Sequence, residues 1–76
     1  MNAERRKKLE KLTEAVRGVL GQVEELKDEE QEYYDNMPES FQSGDKGQQA
    51  EQAVDTLDSA MQSLEEVASY LEESVA

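Results

Sequence analysis

The sequence contains no cysteine, no histidine and no tryptophan, and only one proline and one phenylalanine among its 76 residues. Without cysteine there is neither a disulfide staple nor a thiolate metal site, and without histidine the commonest metal ligand and general base are missing. No apolar run exceeds two residues, so neither a membrane span nor the apolar segment of a signal peptide is present, and a soluble, cytoplasmic chain is expected. No EF-hand spacing occurs, and Asp45, Lys46 and Gly47 lack the glycine and Lys-Ser/Thr spacing of a phosphate loop. An enzyme, a metal and a cofactor are therefore not expected.

What is present is acid and a heptad. The net charge is −11, and it is unevenly spread. Residues 1–17 carry six basic and three acidic residues, a net +3, and residues 18–76 carry two basic and sixteen acidic, a net −14. Apolar and charged contents of 36% each would allow a disordered acidic tail. Periodicity argues for helix instead. Leu9, Leu12, Val16, Val19, Val23, Leu26, Glu30, Tyr33 and Met37 alternate steps of three and four, the a and d positions of a heptad, with Glu30 as the one break. Ala50, Val54, Leu57, Met61, Leu64, Ala68, Leu71 and Val75 repeat the alternation without a polar exception.

Asn2 is suited to cap the first helix, and Pro38 disfavours helical geometry at Met37. Asp45 with Gln48 three residues on reads as a capping box for the second helix. The expected fold is all-α: one antiparallel two-helix hairpin, coiled-coil-like, with a first helix over about 3–36, a connection over about 37–46 and a second helix over about 47–75. Two registers give apolar layers throughout. The preferred one centres the hairpin on Ser40 and pairs Leu9 with Leu71, Leu12 with Ala68, Val16 with Leu64, Val19 with Met61, Val23 with Leu57 and Leu26 with Val54. It sets Glu30 beside Ala50 and Tyr33 over Gly47. The other is shifted by a heptad and leaves more of the basic start unpaired.

A single seam containing several alanines buries too little to offset the entropy of so many ordered residues. Ala53, Ala60 and Val67 at the g position of the second helix, with Leu20 and Tyr34 at e on the first, widen the stripe. A homodimeric four-helix bundle, or a larger helical oligomer, is therefore expected.

Three surface features bear on function. Arg5, Arg6, Lys7 and Lys8 sit on the first turns of a helix, where the macrodipole disfavours cations. In the preferred register Lys8 and Lys7 lie level with Glu72 and Glu73, which neutralise them; the alternative is an anion site in which an oligomer pools several clusters to hold a nucleotide or another phosphate-bearing signal. A nucleic-acid duplex would be repelled by the rest of the chain. Acidic rows along both helices are a solvating surface or, alternatively, a mimic of a phosphate backbone. Tyr33, Tyr34, Met37 and Phe41 fall within nine residues. They read as a lid on the hairpin end, with Phe41 and Met37 over Ala50 and Val54, and as the first candidate for a partner-binding site. Gly18 and Gly21 lie off the seam, where either close approach of another helix or simple tolerance accounts for them.

The stretch EEQEYYDNMPESFQSGDKGQQAEQAVDTLDSAMQSLEEV resembles small acidic helical-hairpin accessory proteins of bacteriophages, prophages and other mobile elements, in which an E-x-YxDNMPE-type segment precedes a Gly-containing turn and an Ala-, Leu- and Glu-rich helix. That family is functionally uncharacterised and supplies no catalytic residues. The resemblance implies a viral accessory protein acting in the cytoplasm of a bacterial host. The expected function is that of a non-enzymatic acidic oligomer inhibiting a host protein, such as a defence protein, by protein–protein contacts. The alternatives are a nucleotide sponge, a nucleic-acid mimic and a structural or assembly spacer.

Overall fold

The computed structural model describes residues 1–75. It is a helical hairpin of two long helices, α1 (Ala3–Asp35) and α3 (Asp45–Val75), joined through a single turn of helix, α2 (Glu39–Gln42). The hairpin is a rod of 59 × 14 × 13 Å with a radius of gyration of 17.2 Å. A compact chain of this length would have a radius of gyration of roughly 11 Å. The difference means that most side chains sit on a surface rather than in a core.

Local signals account for the helix ends. Asn2 is extended, and its Oδ1 accepts the Arg5 N–H at 2.8 Å, the expected N-cap. Helix α1 stops at Asp35, three residues before Pro38. The connection contains a turn of helix that the sequence pattern did not specify. Pro38 starts α2, and its carbonyl accepts the N–H groups of Phe41 and Gln42 at 2.9 and 3.0 Å. Gln42 then reaches back, its Nε2 donating at 3.0 Å to the Tyr34 carbonyl, which also accepts the Met37 N–H at 3.1 Å, so α2 is tied to the end of α1. Helix α3 starts within the expected range but without the Asp45–Gln48 capping box. Its first turn is closed by the Gln48 N–H on the Gly44 carbonyl at 3.0 Å.

The preferred register is overturned. Lys27 Nζ lies 2.7 Å from Asp58 Oδ1, Arg17 is paired with Glu72, and Tyr34 lines a surface cleft together with Glu51. These pairs fit the alternative shifted by a heptad, with Val23 level with Leu64, Glu30 with Leu57 and Met37 with Ala50. Leu9 is therefore not level with Leu71, Glu30 is not beside Ala50, and Gly47 faces the Gln42 backbone rather than Tyr33. The stagger accounts for the length of the rod: helices of about 48 and 45 Å, at about 1.5 Å per residue, slide apart to span 59 Å. It leaves the first two to three turns of α1 projecting past Val75. At the other end the start of α3 projects past Asp35, where α2 packs on it.

The face that α1 gives to the seam also differs from the expected one. Its shielded residues are Leu9, Thr13, Val16, Leu20, Val23, Lys27, Glu30, Tyr34 and Met37, so the a and e rows turn inward and the d row turns out. Thr13 is buried, with its hydroxyl donating to the Leu9 carbonyl at 2.9 Å. On α3 the expected stripe holds. Only Ala50 and Ala68, 1% and 0% exposed, form a buried apolar core among the described residues.

Gly47 is where the connection closes on α3. A Cβ there would lie 2.0 Å from the Gln42 carbonyl oxygen and 2.5 Å from its Cα, backbone atoms that cannot swing aside. Around Gly18 and Gly21 nothing lies within 4 Å, which favours tolerance over close helix approach in the hairpin itself. Gly47→Ala is expected to destabilise by about 1–3 kcal/mol through overpacking, whereas Gly18→Ala and Gly21→Ala are each expected to stabilise by up to about 1 kcal/mol. Urea unfolding of the three variants beside wild type checks both signs.

Candidate functional site

The heptad rows divide the hairpin into two unlike sides. Among the described residues the two ion pairs between the long helices, Lys27–Asp58 and Arg17–Glu72, lie on one side of the seam, where Tyr34 also neighbours Glu51. In α3 the acids avoid the opposite side: Glu51, Asp58, Glu65 and Glu72 form one row along the linked side, Asp55 lies in the next row, and Glu66 and Glu73 are on the back of the helix. The Lys27–Asp58 hydrogen bond raises the Lys27 pKa and lowers that of Asp58, which Gln62 also holds down by donating to its Oδ2 at 2.9 Å. The Tyr34 hydroxyl is pushed up by the neighbouring Glu51 carboxylate, which favours its protonated, donating form, and by partial burial.

The other side is nearly free of acid on α3. Ala53, Ala60, Val67 and Ser74 make one row there, with Gln49, Thr56, Ser63 and Tyr70 next to it, and the one charge in these rows is Lys46. Beside them runs the d row of α1. Leu12, Val19, Leu26 and Tyr33 recur every seven residues with 46 to 55% of their surface open to solvent, and Val67 is similarly open. A row of four large side chains over three heptads exceeds the scattered apolar exposure normal for a surface.

The four aromatic and methionine candidates split between these environments. Tyr34 and Met37 are half-buried toward the seam, whereas Tyr33 and Phe41 are exposed. Phe41, 57% open on α2, does not act as the expected lid. Gln42 and Gly47 close that end instead.

The basic cluster lies where the stagger leaves it, beyond the last described turn of α3. Its expected neutralisation by Glu72 and Glu73 does not occur, because Glu72 is taken by Arg17 and the ends are offset by a heptad. Lys8 makes one exposed contact with Glu4 at 3.6 Å, and Arg5, Arg6 and Lys7 make no ion pair among the described residues. Being consecutive, the four residues fan around the helix at about 100° intervals and do not converge on one anion. Nor do carboxylates converge: among the described residues no group of three or more potential ligands is placed to hold a metal ion. Among the described residues no helix is long and apolar enough to cross a membrane.

No protein-family model matches the chain, and neither the curated proteins nor the solved structures show a significant similarity to it. Function has to be argued from the two sides of the hairpin and its ends.

Asp58 allows a test of the geometry. Its folded pKa lies below the ordinary carboxylate value of 3.8, so its contribution is present above that pH and is lost as pH falls through the depressed value. Thermal melts of wild type and Asp58→Asn between pH 7 and 2 should therefore show a wild-type advantage that closes on acidification. An advantage independent of pH would mean that the Lys27 pair is not its source.

Proposed function

We propose that this chain is a non-enzymatic, self-associating helical binding protein that acts by protein–protein contact, as an inhibitor of a bacterial host protein carried by a phage or related element. The observation that carries the binding role is an exposed apolar row about three heptads long, Leu12, Val19, Leu26 and Tyr33, beside an acid-free face of α3, on a rod of net charge −11 whose buried apolar core among the described residues is two alanines. Such a row is costly to leave in water and is suited to a helical partner. The phage origin and the cytoplasm of a bacterial host rest on the YYDNMPE resemblance. Self-association into a four-helix bundle supplies the burial that one seam lacks. The target site then lies at the end of the hairpin, where Phe41 is presented on α2.

One further reading has a specific observation in its favour. The acids of α3 lie on its linked side and back, where Glu51, Asp55, Glu65, Glu66 and Glu73 make no ion pair among the described residues, a negative surface of the kind that could occupy the basic groove of a nucleic-acid enzyme. DNA competing with the hairpin for its target, with strong salt dependence, would favour that mimicry over contact through Phe41.

Light scattering should give a mass of at least twice the 8.6 kDa chain. Capture from a bacterial lysate followed by titration of the purified target should show Phe41→Ala weakening binding by about tenfold or more, the scale of an aromatic hot spot. Undiminished affinity of that variant would remove the hairpin end from the target site, and a monomer at micromolar concentration would remove the bundle.

A further inference from the structure

We infer that the side carrying the exposed Leu12, Val19, Leu26 and Tyr33 row is the seat of a second copy of this chain, docked with the two α1 helices antiparallel and the twofold axis near Val19. This rests on the self-association proposed above and adds the face, the direction and the register. Sequence periodicity favours Leu12, Val19, Leu26 and Tyr33 for the intramolecular seam, yet the hairpin turns Thr13, Leu20, Lys27 and Tyr34 inward and leaves the more apolar row outside. A seven-residue repeat held over this length is a helix-packing seam, and within the hairpin it has no partner.

Charge chooses the occupant and its direction. The rows flanking the exposed seam on α1 hold Lys8 and Lys11 near the start and Glu25, Glu29 and Glu32 near the end. A parallel second α1 would set acid against acid and base against base. An antiparallel one sets each basic start along the other copy's acidic end, and the flanking rows of α3 add almost no charge to oppose it. With the axis at Val19, Leu12 packs against Leu26 of the second copy, Val19 against its own counterpart and the Arg5 stem level with Tyr33. The same register brings Lys8 beside Glu29 and Lys11 beside Glu25. The projecting turns of α1, which find no acid on their own α3, rest on the body of the other hairpin.

The area is sufficient. From Arg5 to Tyr33 the face runs about 42 Å, and at a width of roughly 16 Å it covers about 650 Å² per copy, or roughly 1,300 Å² in all, within the range of stable interfaces. Ala60 and Ala53 keep the groove beside it shallow enough for a second helix to approach.

The absence of native cysteine makes the register directly testable. Val19→Cys places one thiol on the axis and should give a disulfide-linked dimer under mild oxidation at least about tenfold faster than Gly21→Cys, whose position lies on the opposite face. Lys8→Glu with Lys11→Glu should weaken the dimer by about tenfold or more in sedimentation, and adding Glu25→Lys and Glu29→Lys to the same chain should restore it. Equal cross-linking of the two cysteine variants, or no restoration by the charge swap, would overturn the antiparallel register. A wild-type dimer that survives Val19→Glu and Leu26→Glu unchanged would show that another face associates, leaving self-association standing without this inference. A monomeric wild type would remove both.

Discussion

A two-helix rod has one seam, and each helix offers that seam only a narrow strip of its surface. Here the strip encloses two alanines and a threonine, with every larger apolar side chain left partly open. In a globular domain a third layer would cover those residues. The rest of this structure can be read as a response to that missing layer: polar links clamp one side of the seam, and the other side carries the apolar residues that a third layer would need.

The polar clamp and the stagger are coupled. Lys27 occupies a position where an apolar residue would be expected, and it remains there because its stem covers the seam while its ammonium reaches Asp58. Tyr34 likewise lies beside Glu51. Both partners exist only with the helices displaced by a heptad from the tighter hairpin, and that displacement requires something to cover the start of α3. Helix α2 fills this place, and it approaches so closely that Gly47 has no room for a side chain. The displacement also sends the basic start of α1 past the end of α3. A requirement for polar partners at the middle of the seam thus determines which charges are left over at its ends.

Much of the fold was legible in the sequence, for physical reasons that differ by element. Asn2, Pro38 and the second stripe were readable because caps, proline and a single apolar stripe act locally. The face of α1 was not. That helix carries three apolar rows, and counting apolar residues selects the two richest, whereas the choice was made by Asp58 and Glu51 on the other helix. Register failed for a related reason: a shift of one heptad exchanges apolar layers for apolar layers, so only the polar pairs and the packing of α2 distinguish the two. Gly47 was equally opaque, since the backbone that crowds it comes from a connection whose helical turn the pattern did not specify. For the candidate site, Tyr33 and Phe41 were found as exposed aromatics, but the continuity of Tyr33 with Leu12, Val19 and Leu26 became visible only once that row turned outward.

If the exposed apolar row of α1 exists to be covered by another copy, folding and association are one process, and stability must depend on how much protein is present. Thermal unfolding followed by circular dichroism over a hundredfold range of concentration measures this directly. The expected result is a Tm that rises steadily with concentration, with helicity falling in the most dilute samples at fixed temperature. A Tm independent of concentration, together with a monomeric mass, would show that the single seam is sufficient and would contradict the account.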